Sequence, residues 1–78
     1  MNIELVKNIF LEEKHVFGDI FKAGDRFMYK TYSIAANDPN KFTLIEETGF
    51  IYESLEDAEA DCTASLQAMN VKKSSKSK

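Results

Sequence analysis

The chain has 78 residues, 44% of them hydrophobic and 29% charged, with a formal net charge of −3. That length holds one domain with a marginal core, which excludes a two-domain cleft or a large enclosed active-site cavity. A single cysteine, Cys62, and a single histidine, His15, exclude an internal disulfide and would leave any zinc site dependent on carboxylates or a second chain.

Taken in chain order, Ile3, Leu5, Ile9 and Leu11 alternate as a half-buried strand does, and predict a strand over residues 2–11 followed by a loop. Val6, Ile9, Phe10, Val16, Phe17, Ile20 and Phe21 keep helical spacing, so a helix over residues 3–15 is the competing reading. Gly18 counts against one long helix, at a cost of about 1 kcal/mol relative to alanine. Gly24-Asp25 reads as a turn feeding a strand from Phe27 to Ala36. Asn37-Asp38-Pro39-Asn40 should close that strand, with Asp38 and Pro39 suited to the first two positions of a type I turn. Phe42–Glu47 and Phe50–Glu53 are rich in β-branched and aromatic residues, and Thr48-Gly49 between them reads as a tight hairpin loop.

The last element is the plainest. Leu55, Ala58, Cys62, Leu66 and Met69 step by three or four residues and form one stripe of a helix. Ser54 is a natural N-cap, and Asp57 stands where a capping box needs an acid. The expected fold is α+β: a small antiparallel sheet of three to four strands packed against a C-terminal α-helix. Residues 1–71 form the single domain, and residues 72–78, KKSSKSK, form a Lys/Ser tail with nothing to bury and an expectation of disorder.

Two fragments carry a resemblance. FKAGDRF (Phe21 to Phe27) is similar to the turn before a strand in Src-homology-type small β-barrels, and TGFIYESL (Thr48 to Leu55) looks like the stretch near the end of those barrels. Together they cover 15 of the 78 residues. The resemblance implies a partly open small barrel. The chain departs from that family in having no tryptophan, no proline where a ligand groove would want one, and a long helix after the second fragment. Proline-rich peptide binding is therefore not implied.

Charge is distributed unevenly. Residues 1–41 hold equal numbers of acids and bases. Residues 42–71 hold Glu46, Glu47, Glu53, Glu56, Asp57, Glu59 and Asp61 and no base, and the tail adds four lysines. A body so negative repels nucleic acid and attracts cationic partners. Glu53, Asp57 and Asp61 recur every four residues, which lines them along one edge of the helix and its start, about 6 Å apart. Glu56 and Glu59 fall on the neighbouring edge, and Glu46 and Glu47 on the segment before. Like charges at this spacing weaken a helix slightly, so folding does not ask for them, although first-turn acids gain from the helix dipole.

Nothing else carries chemistry. Glu12-Glu13-Lys14-His15 sets a titratable ring beside carboxylates, but without a nucleophile or substrate cradle it reads as a solvated charge run. Cys62 has no neighbouring base and lies on the apolar stripe, as a small core residue does. Gly18, Gly24 and Gly49 lack phosphate-loop spacing. The aromatic residues read as core, since a base-stacking surface would pair them with a basic groove.

These features predict a non-enzymatic binding protein without cofactor or metal. Its acidic surface (Glu46, Glu47, Glu53, Glu56, Asp57, Glu59, Asp61, with Tyr52) docks on a basic surface of a partner protein. Tyr52, Tyr32 and Phe50 are the candidate aromatic anchors. The most concrete version is an inhibitor that occupies a nucleic-acid-binding groove, by analogy with the small accessory proteins of bacteria and their phages. A self-associating assembly module, a homodimer, is the alternative, and weak nucleic-acid binding through the lysine tail is a third reading. Without cystines, a membrane-length apolar run or a signal-like leader, the expected location is the cytoplasm, with no membrane contact.

Overall fold

A computed structural model describes residues 2–69; the lysine tail expected at 72–78 lies outside the described residues. Four strands, β1 (Ile3–Leu11), β2 (Val16–Ala23), β3 (Arg26–Ala35) and β4 (Asp38–Glu47), precede one helix, α1 (Leu55–Ala68). The strands pair antiparallel in the order β1-β2-β3-β4, so the sheet is an open meander and β1 and β4 are its edges, not the seam of a barrel. The α+β class is as expected, with four strands in the sheet.

Three short connections set the register. Glu12–Lys14 make one turn of 3-10 helix, and His15 follows in the left-handed region at φ 55°. Its carbonyl accepts from the Ile34 amide at 2.8 Å, which ties this turn to β3. Gly24, at φ 63°, supplies the backbone conformation that the β2–β3 turn needs. Ala36-Asn37 turn β3 into β4.

Three expectations need correction. Residues 16–23 are a strand rather than a loop, and the strand reading of residues 2–11 holds over the helical one. Asp38 and Pro39 do not make the turn but begin β4; Pro39 is tolerated because an edge strand need not donate from every residue. Phe50–Glu53 is no strand, and Thr48-Gly49 is no hairpin loop. Instead the Thr48 hydroxyl accepts from the Tyr29 amide at 3.0 Å, while Tyr52 forms a single antiparallel bridge with Phe27. The segment after β4 thus keeps running beside β3 by side-chain and isolated backbone bonds until the helix starts.

The helix begins as the sequence requires. Ser54 Oγ accepts from the Asp57 amide at 3.1 Å. Its far end is closed from a distance: Lys14 Nζ donates to the carbonyls of Gln67 (2.7 Å) and Met69 (3.0 Å), satisfying acceptors that a helix leaves unpaired.

The stripe Ala58, Cys62 and Leu66 is fully buried against Val16, Ile20 and Tyr29, with Val6, Ile9, Leu11, Phe27, Tyr52, Leu55 and Met69 around the margin. Gly18 lies on the same side of β2 as Val16 and Ile20. A Cβ built there would stand 2.5 Å from Cys62 Sγ, so the helix approaches the sheet through the missing side chain. Thr31 is also fully buried on this side, and its hydroxyl has no hydrogen-bond partner among the described residues.

Two substitutions should therefore move stability in opposite directions. Gly18→Ala forces the helix outward and is expected to cost about 1–3 kcal/mol in urea denaturation. Thr31→Val removes an unsatisfied buried polar atom at equal volume and should be neutral or stabilising in the same measurement.

Candidate functional site

Strand alternation sends neighbouring acids to opposite sides of the sheet. Glu46 pairs with Thr31 and lies on the helix side, where it accepts from the Tyr29 hydroxyl at 3.3 Å and from Ser65 Oγ. Glu47 pairs with Lys30 and lies on the other side, within 3.6 Å of the Lys30 ammonium. Glu59 faces β1, where Lys7 Nζ reaches it at 2.6 Å.

The remaining acids lie on the segment that enters α1 and on its first two turns. Glu53, Glu56, Asp57 and Asp61 are exposed, and none forms an ion pair among the described residues. Asp61 accepts from the Tyr52 hydroxyl at 2.9 Å. Tyr52 is half-buried, its ring 5.8 Å from that of Tyr29. Burial foremost, then the bond to Asp61, raises the Tyr52 phenol above its ordinary pKa; burial likewise raises that of Tyr29. Ile51, 64% exposed, stands immediately before this group. The seven acids thus separate into a compact group of four beside an exposed isoleucine, and three that serve the fold. Of the expected anchors, Tyr52 adjoins the acids, whereas Tyr32 lies on the opposite side of the sheet.

That opposite side is a second candidate surface, which the sequence reading did not isolate. Ile3, Leu5 and Phe10 of β1 and Phe42 and Leu44 of β4 stand on it, each 47–61% exposed. Among them Phe17, Tyr32 and Phe42 form an aromatic cluster: Phe17 stacks on Tyr32 at 4.7 Å, and Phe42 stands roughly perpendicular to both rings. A sheet face left to water is ordinarily polar. This one is largely apolar, and α1 lies wholly on the other side. The signal was present in the sequence as apolar residues of both parities in VFGDIF, which is what a strand apolar on two faces looks like.

The chemistry-bearing residues are placed as structural groups. Cys62 is fully buried, and its thiol is pushed up from 9.0 to about 11 by burial first and then by Asp19, Glu46 and Glu59. Among the described residues, no three potential metal ligands come together, and no helix is long and apolar enough to cross a membrane. In comparison with known proteins, the chain matches no family model, and no curated protein or solved structure is significantly similar to it.

Titration of the buried thiol should make stability fall in alkali. A group whose folded pKa is raised contributes stability in full below its unfolded pKa and loses it as pH rises through the folded one. Unfolding free energy should therefore decline between pH 9.0 and about 11, with Tyr29 and Tyr52 adding to the loss at the upper end. Cys62→Ala, followed by denaturation across this range, should flatten the early part of the decline and keep the later part.

Proposed function

We propose that this chain is a non-enzymatic binding protein that presents the start of α1 to a basic surface of another protein. The observation that supports the reading is the group Glu53, Glu56, Asp57 and Asp61, exposed and without a cation among the described residues, beside an exposed Ile51. Its acids steer a cationic partner and set the register of the encounter. Ile51 supplies apolar area at the rim, and Tyr52, pinned between Tyr29 and Asp61, gives the group a firm base. A partner that ordinarily binds nucleic acid offers the matching charge, so occupying its groove is the specific form of the proposal. Glu46, Glu47 and Glu59 contribute only to the general negative field, because each already has a partner within the chain.

The test uses a lysine- and arginine-rich peptide titrated into the isotopically labelled chain at low salt. Shift changes should concentrate on residues 51–61. The triple variant Glu53→Gln, Asp57→Asn, Asp61→Asn should keep its fold and bind about tenfold more weakly. Equal shifts around Glu4, Glu12 and Glu13, or unchanged affinity in the triple variant, would overturn the reading.

A further inference from the structure

The helix-free face of the sheet has an internal pattern. One residue from each strand, Asn8, Asp19, Lys30 and Glu47, lies in a single cross-strand row: Asn8 is opposite Asp19, Asp19 opposite Lys30, and Lys30 opposite Glu47. Asn8 Nδ2 donates to Asp19 Oδ1 at 2.7 Å, and the Lys30 ammonium is 3.6 Å from Glu47. This polar row crosses the middle of the face. On one side of it stand Ile3, Leu5 and Phe21; on the other stand Phe10, Leu44 and the aromatic cluster of Phe17, Tyr32 and Phe42.

We infer that this face is covered by a second copy of the chain, in a two-fold, sheet-on-sheet dimer whose axis runs parallel to the strands between β2 and β3. The charge order of the row selects the arrangement. About that axis β2 lies over the partner's β3 and β1 over the partner's β4. Asp19 then meets the partner's Lys30, Lys30 meets the partner's Asp19, and the Asn8 amide meets the partner's Glu47. About the alternative in-plane axis, across the strands, the row falls on itself, so Asp19 meets Asp19 and Lys30 meets Lys30. Only the first is self-complementary, and it also places the Leu5–Phe21 end on its own copy and the Phe17–Tyr32 end on its own copy. Aligned sheets pack at about −30°, and a rotation about the face centre leaves the β2–β3 pairs over one another.

Size and net charge agree with this occupant. Strands of 8–10 residues, at about 3.3 Å per residue and about 4.8 Å apart, give a face of about 30 by 19 Å. Two such faces together pass the about 1,000 Å² expected of a specific interface. The face itself holds the near-neutral row, whereas Glu53, Glu56, Asp57 and Asp61, which form no ion pair among the described residues, sit on the far layer. In the sandwich the two helices are about 30 Å apart, several Debye lengths at physiological salt, so their mutual repulsion is screened. Residues 70–78 contain one apolar residue, Val71, and so offer nothing that matches the face.

The experiment is light scattering and sedimentation on the full chain and on two charge variants, Asp19→Lys and Lys30→Asp, each checked for fold by circular dichroism. The wild type should have twice the chain mass of 8.9 kDa. Each variant alone sets like charges against like and should dissociate at least about tenfold more readily. An equimolar mixture of the two restores every cross-face pair and should recover the two-chain mass, which a merely structural role for these residues would not produce. If either variant fails to fold, Leu44→Lys, on the same face but outside the row, should give a folded single chain. A wild type that keeps the single-chain mass up to about 1 mM overturns the inference and gives the face to a different polypeptide. A folded mixture that stays monomeric overturns the pairing by charge.

Discussion

The close approach of α1 to β2, Cys62 against Gly18, is the contact on which the rest of the molecule depends. One helix has to cover a four-stranded sheet, and it can do so only by lying low over the central strands. Gly18 makes the space, and the small residues Ala58 and Cys62 bring the helix into it. A larger side chain at either place would lift the helix and open the margin formed by Val6, Ile9 and Leu11 on one side and Tyr52 on the other. The same dryness that raises the Cys62 thiol also leaves the Thr31 hydroxyl without a partner among the described residues: close packing of this quality is incompatible with much polar chemistry beneath the helix.

Long-range polar contacts then hold the helix in place along its length. Ser54 caps its start, Lys7 from β1 meets Glu59 near the middle, and Lys14 from the first turn closes its end. Glu46 from β4 takes two hydrogen bonds, one from the sheet and one from the helix. Acids that look uncompensated in sequence are thus partly the fastening between layers, and those without an ion pair among the described residues are Glu53, Glu56, Asp57 and Asp61. The two outward surfaces differ in chemistry accordingly: one negative and rich in side chains reaching into water, the other apolar with a mixed-charge polar line through it.

How far the sequence could be read depended on how many faces each element buries. The helix was legible to its cap because its stripe is buried on one side and polar elsewhere. β1 was legible for a similar reason, although a bulge between Leu5 and Lys7 disturbs its alternation and let a helical reading compete. β2 was not legible, because Val16, Phe17, Ile20 and Phe21 are apolar on both sides of the sheet and mimic helical spacing. Pro39 pointed to a turn by its usual preference, but edge position removes the penalty that preference reflects. The acidic surface was legible in number but not in direction. Glu46 and Glu47 are adjacent in sequence and therefore opposite in space, and the cations that pair with Glu47 and Glu59 come from strands remote in the chain.

The irregularities along the two outer strands bear on how assembly would end. β1 is bulged between Leu5 and Lys7; β4 departs from regular register twice and carries Pro39. Such interruptions leave neither rim able to template another strand over any length, so lateral growth into ribbons is discouraged. Association through the flat side has no such obstacle but consumes itself, since each copy has one such side to give. Under the inferred pairing assembly stops at two chains, and the interrupted rims offer no regular edge from which a fibril could extend.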